Sequence, residues 1–187
     1  ASGELKPGHE PGIEIRAKYT VLGEGCRGHL GKEIIKKYDL DHGKDPQHYG
    51  IGFKEVWKLK DEHYEPGLVI HTNGWPTPTD TPSGSYFYHG ENNEAYVGYV
   101  IPLDYKNPHL SPIDEFQKWK KHPAICKYLN GAERLSYGAR ALIKGGLQSL
   151  PKLDFPGGLL IGDNAGMLNF SKIKGSHTAM KSGIIAG

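Results

Sequence analysis

Cysteine is almost missing from this chain. The only two, Cys26 and Cys126, lie far apart and show no CxxC spacing, so the chain alone builds neither a disulfide framework nor a zinc or iron–sulfur site. That usage points to a reducing compartment. No run approaches the roughly 18 consecutive apolar residues of a membrane-spanning helix, and the opening ASGELKPGHEPG lacks the basic-then-apolar pattern of a signal peptide. Any membrane contact is therefore expected to be peripheral. A strong charge of one sign is lacking too: 23 Lys and Arg against 21 Asp and Glu leave +2, which gives no reason to propose a nucleic-acid partner. The histidines, His71 and His89 among them, show no regular ligand spacing, so they read as packing or surface groups and no metal site is expected.

What is present is enough for a core. The 187 residues are 37% hydrophobic and 10% aromatic, normal for one domain or two small ones. Eleven Tyr and three Trp suit an apolar or ring-shaped ligand, and ordinary packing uses them as readily.

The most informative stretch is GGLLIGDNAGMLNFSKIKGSHTAMKSG, Gly157 to Gly183. It reads as a short buried strand of the parallel type at Leu159 to Ile161, a loop carrying Asp163, a turn with lysine and glycine, and a helix beginning near Gly175. An earlier turn, VLGEGCRGHLGK at Val21 to Lys32, repeats the strand-to-helix logic. Two such turns far apart in sequence suggest one long cofactor site, suited to a flavin nucleotide.

Ile13, Ile15 and Ala17 alternate with polar residues and lead to Tyr19, Val21 and Leu22, which predicts a strand pair or one bent strand ending at Gly23. A helix leaves Gly28 with Leu30, Ile34, Ile35 and Tyr38 on its apolar side and ends between Asp39 and Gly43. From Tyr49 to Leu103 the period becomes two, predicting a three- or four-stranded antiparallel sheet with a hairpin turn at Gly90 to Asn93. Ser111 and Pro112 start a helix with Phe116 and Trp119 on its apolar stripe, Pro123 breaks it, and a shorter helix carries Ile125 to Leu129. Arg134 to Leu142 alternates as a further strand closed by Gly145 and Gly146, and LPKLDFPGG reads as a linker. The flanks, 1–46 and 146–187, thus look like parts of one α/β cofactor domain, and 47–145 like an α+β insertion. No GxGxxG turn of the Rossmann type opens the chain before Ile13, although GEGCRG at Gly23 to Gly28 has that spacing, and the chain is expected to be an internal piece of a larger protein.

Asp163, at the carboxyl end of a strand, can accept hydrogen bonds from ribityl hydroxyls, or it can serve as a turn cap. The helix near Gly175 offers a partly positive end that would favour negative charge on a reduced flavin. Arg27 can steady a dinucleotide, or sit in a structural ion pair. Cys26 has no obvious partner base and reads as a buried structural thiol. In HTNGWPTPTDTPSGSYFYH, the small residues Gly74, Ser83 and Gly84 beside Trp75 can leave a slot for a planar ring, or form an extended hairpin loop.

The blocks GEGCRGHLGK, YGIGFKEVW, GWP with SGSYFYH, LDYKNPHLSPIDEFQKWKKHP, RLSYGARAL, GGLQSLPKLDFPGGLLIGD and KIKGSHTAMKSG, in this order, resemble the electron-transfer flavoprotein:ubiquinone oxidoreductase family over nearly the whole chain from about Gly12. The resemblance implies a glutathione-reductase-like FAD domain interrupted by an antiparallel-sheet ubiquinone-binding domain. It also implies electrons passing from reduced electron-transfer flavoprotein, through a four-iron four-sulfur cluster and FAD, to ubiquinone. The implied location is peripheral, on the mitochondrial inner membrane or the bacterial plasma membrane. The FAD contacts carry over to Gly25, Arg27, Gly162, Asp163, Gly166, Lys174 and Gly175, and the quinone contact to Ser83 and Gly84. Ser83 departs from the two glycines common in the family and places a side chain where close backbone approach is expected. GDNAG departs from members without the Asp. The cluster ligands are expected outside this chain, so it does not complete the electron path by itself. Two rivals stand beside this reading: a flavin-dependent hydroxylase or geranylgeranyl-reductase-like enzyme, and a non-catalytic quinone-binding fragment.

Overall fold

Residues 3–169 and 174–187 are described by the computed structural model. Period-two alternation over the middle of the chain produces a five-stranded antiparallel sheet, ordered β3-β4-β5-β2-β6. Its strands are β2 (Tyr49–Lys58), β3 (Val69–Asn73), β4 (Gly84–His89), β5 (Glu94–Pro102) and β6 (Glu133–Ile143). The β4–β5 turn falls where the sequence places it, with Asn92 and Asn93 at φ of 54° and 55°, the left-handed conformations that a tight hairpin demands. The expected three or four strands become five because β6 pairs with β2 along its whole length.

One face of this sheet is covered by α2 (Pro112–Lys120) and α3 (Pro123–Leu129), which start at the two prolines as expected. Phe87, Val97, Tyr99 and Ile101 from the sheet meet Phe116, Trp119 and Ile125 from the helices, all essentially without solvent exposure. Phe116 stacks between Tyr99 and Phe53, each ring centroid 6.0 Å away. Truncating such a buried aromatic to alanine costs about 3–5 kcal/mol. A charge is enclosed on this face as well: Glu55 accepts from Lys120 Nζ at 2.7 Å, Trp57 Nε1 at 2.8 Å and Arg134 at 3.3 Å. The other face borders a cavity that Asp163 also lines.

A smaller sheet is built from the two ends of the chain. β1 (Thr20–Leu22) runs parallel to β8 (Gly158–Leu160), and β8 pairs antiparallel with β7 (Asp154–Phe155). Against it packs α1 (His29–Tyr38), with Ile34, Ile35 and Tyr38 turned to Leu22, Leu40 and Leu160. α4 (Ser176–Ala186) lies over the turn at Gly162–Asn164.

Three expectations are corrected. The alternating segment before Tyr19 forms no strand; Ile13 and Ile15 are 87% and 82% exposed. β1 is the edge of its sheet, so no partner supplies the hydrogen bonds that alternation alone cannot provide. Leu30 leaves the apolar stripe of α1 and is exposed. The supposed linker holds β7, whose Phe155 stacks on Tyr38 at 5.7 Å. The lysine-bearing turn before Gly175 lies partly outside the described residues.

Candidate functional site

The two glycine turns interlock through Asn164. Its buried side chain lies against α1 at Gly28 and Gly31, where a methyl group on either would overlap it, and Nδ2 donates to the Leu22 carbonyl at 3.3 Å. Glu24 is turned away from any ligand: its carboxylate accepts from the backbone N–H of Gly31 at 2.7 Å and of Leu30 at 3.3 Å, capping α1. Gly25 takes φ +79° with open space around it, so its backbone can be approached closely. Cys26 is buried and donates its thiol to the Ala141 carbonyl at 2.9 Å, which fastens this turn to β6. Burial and the neighbouring Asp163 push that thiol up against the opposing pull of Arg140 and Arg27, in keeping with a structural rather than a nucleophilic role.

Register on the face of the large sheet opposite α2 and α3 places side chains in rows. His71, Tyr86, Gly98, Lys54 and Gly138 stand side by side; in the next row stand Asn73, Gly84, Val100, Gly52 and Arg140. The Tyr86 ring lies over Gly98, where a Cβ would overlap it. Glycines thus hollow the middle of the face while Tyr86, His71, Lys54 and Arg140 rise around it. The Gly25 turn, Asp163 and Leu168 close over this hollow, leaving a cavity of about 800 Å³. That volume suits a drug-sized ligand.

Of the sequence-predicted residues, Gly25, Asp163, Ser83 and Gly84 line this cavity together. Burial raises the Asp163 carboxyl to about 6, opposed by a hydrogen bond from the backbone of Ile143. Arg27 is exposed and outside the lining, as is Gly162, whose N–H donates to Ser182 Oγ at 2.9 Å. Gly166 faces a neighbouring cavity of about 690 Å³ that shares Pro82, Lys144 and Leu168 with the first. Lys174 donates to Tyr88 Oη at 2.8 Å, and Gly175 precedes α4.

The Ser83 side chain leaves the cavity free. It is buried; its hydroxyl donates to the Gly74 carbonyl at 2.7 Å, meets Thr77 Oγ1 at 2.6 Å and accepts from Tyr99 Oη at 2.8 Å. Trp75 forms no slot wall: it is 51% exposed and packs edge-on against His122. The aromatic wall is Tyr86, which sequence reasoning missed together with Lys54, Arg140 and Gly52. Alternation alone puts each on a face opposite the apolar one, but their gathering in one place depends on strand register. His71, read as a packing or surface group, is exposed and also lines the cavity.

The fold is that of flavoproteins of known structure. A geranylgeranyl bacteriochlorophyll reductase-like protein from Thermoplasma acidophilum superposes with a TM-score of 0.69 over 91% of this chain and 40% of that one, at 16% identity. A flavoprotein/dehydrogenase from Cytophaga hutchinsonii gives 0.54 over 93% and 42%, also at 16%. Within that class, the family model described as ETF-QO, ubiquinone-binding, matches residues 49–142, and the chain belongs to this electron-transfer flavoprotein:ubiquinone oxidoreductase family. The electron transfer flavoprotein-ubiquinone oxidoreductase of Pseudomonas aeruginosa is 60% identical over 98% of the chain, and the human mitochondrial one 54% over 98%. The chain spans 34% and 30% of those relatives, about a third of their length.

Proposed function

We propose that this chain forms part of a flavoprotein that passes electrons from reduced electron-transfer flavoprotein, through an iron–sulfur cluster and FAD, to ubiquinone. The observation that carries the reading is the single cavity lined at once by Gly25 and Asp163 from the paired glycine turns and by Ser83 and Gly84 from the large sheet. In this reading 1–46 and 146–187 are segments of the FAD domain, and 47–145 is the ubiquinone-binding domain inserted between them. The four-iron four-sulfur cluster belongs to the longer protein, with its ligands outside this chain.

The residues present fit a flavin. Gly25 offers open backbone, Asp163 an acceptor for hydroxyls, and Arg140 a cation at the cavity wall. Gly25, Arg27, Gly162, Asp163, Gly166, Lys174 and Gly175 would hold the cofactor. Arg27, Gly162, Gly166, Lys174 and Gly175 lie outside the main lining, so in this reading they would meet the part of the cofactor that extends beyond it. When bound, FAD supplies a carrier that collects single electrons and releases a pair. Ser83 and Gly84 would then receive the quinone: the network through Gly74, Thr77 and Tyr99 fixes the turn so that its backbone is presented without rearrangement. Among the described residues no helix is long and apolar enough to cross a membrane, and the proposed location is peripheral, on the mitochondrial inner membrane or the bacterial plasma membrane.

The test is turnover. Full-length, flavin-loaded protein given reduced electron-transfer flavoprotein and a short-chain ubiquinone analogue should form the quinol. Substrate-stimulated oxygen consumption with no quinol would replace this reading with that of a hydroxylase.

A further inference from the structure

Besides Gly84 at the start of β4, glycines stand on the cavity face of the large sheet at Gly50 and Gly52 in β2, Gly98 in β5 and Gly138 in β6. A glycine inside a strand weakens it, because it orders more backbone freedom and packs no side chain, so each calls for a reason. Gly98 has one within the protein: the Tyr86 ring occupies the place its side chain would take. Gly50 has another, since a Cβ there would lie 3.1 Å from the Ile101 carbonyl oxygen. Gly138 is exposed and lies outside the cavity lining.

Gly52 has neither. Its φ is not left-handed, and a Cβ on it would make only ordinary contacts, 3.4 Å to Leu142 Cδ2 and 3.5 Å to Val100 Cγ2. The fold would therefore accept alanine here. What the added methyl group would occupy is cavity space, since Gly52, Val100 and Leu142 all belong to the lining. Register shows which part of a ligand meets it. Gly52 pairs with Val100 and Val100 with Gly84, so the three stand in one row. Neighbouring strands lie about 4.8 Å apart, which puts Gly52 about 10 Å from Gly84 across Val100. A quinone ring with one carbonyl oxygen at the Gly84 backbone thus lies over Val100 and turns its opposite edge toward Gly52. In ubiquinone that edge is never bare, because each of the two ring carbonyls has a methoxy group beside it.

Resting on the function proposed above, we infer that Gly52 is a specificity-determining residue, which leaves room for the methoxy group beside the quinone carbonyl farther from Gly84. The missing side chain lets a fully substituted ring seat at the same depth as a smaller one. A methyl group at this position would compete with the methoxy group for one volume and leave a ring without it undisturbed.

The experiment uses full-length, flavin-loaded protein given reduced electron-transfer flavoprotein. It compares kcat/KM for a short-chain ubiquinone analogue with kcat/KM for the same molecule in which both methoxy groups are replaced by hydrogen. The difference in driving force between the two quinones cancels when the ratio in a variant is set against that in wild type. Gly52→Ala should retain its flavin and lower the ratio of dimethoxy to unsubstituted quinone about tenfold or more, the effect of one misplaced methyl group in a pocket. Gly138→Ala makes the same change of residue type outside the lining and should keep the wild-type ratio. An unchanged ratio in a Gly52→Ala protein that reduces both quinones overturns the inference alone. So does loss of flavin from that variant, an equal fall for both quinones, or an equal shift of the ratio in Gly138→Ala. A flavin-loaded wild type that reduces neither quinone overturns the functional reading and the inference together.

Discussion

The carboxamide of Asn164 rests on Gly31, so closely that a Cβ on this residue would lie 2.8 Å from Asn164 Cγ. This contact joins chain segments that are far apart in sequence, and it sets how closely the two glycine turns approach. Gly31→Ala should therefore cost about 1–3 kcal/mol through overpacking, despite alanine's better helix propensity. Denaturant unfolding measures it; a stabilised variant would show that the two turns yield without cost.

Ser83→Ala removes the acceptor of the Tyr99 hydroxyl and the donor to Gly74 while leaving the cavity wall in place. A loss of about 1–3 kcal/mol in stability is expected, with quinone affinity falling less than stability does. Ser83→Gly should behave alike. Parallel unfolding curves and quinone titrations separate the two effects.

Gly84→Val places a branched side chain on the cavity face of β4. Quinone turnover should drop at least tenfold, since a well-positioned reactant is worth far more than that, with flavin absorbance retained. Normal turnover by this variant removes Gly84 from the quinone contact.

The Asp163 carboxyl, raised to about 6 by burial, binds its proton more tightly in the folded chain than in the unfolded one. Its contribution to stability is thus fully present below the ordinary carboxylate range and is lost as pH rises through about 6. Asp163→Asn should melt higher than wild type at pH 8, by on the order of 1 kcal/mol once partial exposure is allowed for, and match it near pH 4. Equal stabilities at both values would mean that the carboxylate is well solvated. Flavin retention in the same variant should weaken, since one carboxylate oxygen becomes an amide donor and the negative charge is lost.

Lys120→Met leaves Glu55 enclosed with less charge to balance it. Loss of one partner from a buried pair costs about 3–5 kcal/mol, and the loss should persist at high salt because screening acts mainly on exposed charges. A salt-dependent or negligible change in thermal unfolding would place the pair effectively in solvent.

How much of this was readable in advance depends on the range of the interaction. Local signals served well: Ser111 and Pro112 start α2, Asn92 and Asn93 turn the hairpin, and Gly25 takes the left-handed conformation its type permits. Where a partner had to be supplied from elsewhere, local reading failed. Ile13 and Ile15 alternate like a strand yet find nothing to pair with, and Asp154 and Phe155 look like linker yet pair with β8. Of the site, Gly25, Asp163, Ser83 and Gly84 were legible as turn and slot residues, whereas His71, Tyr86 and Arg140 were not, because alternation tells the face of a strand but not its neighbour.

The sequence by itself determined the periodicities, the helix starts, the glycine turns and the family resemblance, since each is written in residues close together along the chain. Only the tertiary structure decided that Asn164 locks one turn onto the other, that the Ser83 hydroxyl faces Tyr99 instead of the cavity, and that Lys174 reaches Tyr88. Those outcomes depend on strand register and on packing between distant segments, where a displacement of one residue would reverse every side chain's direction.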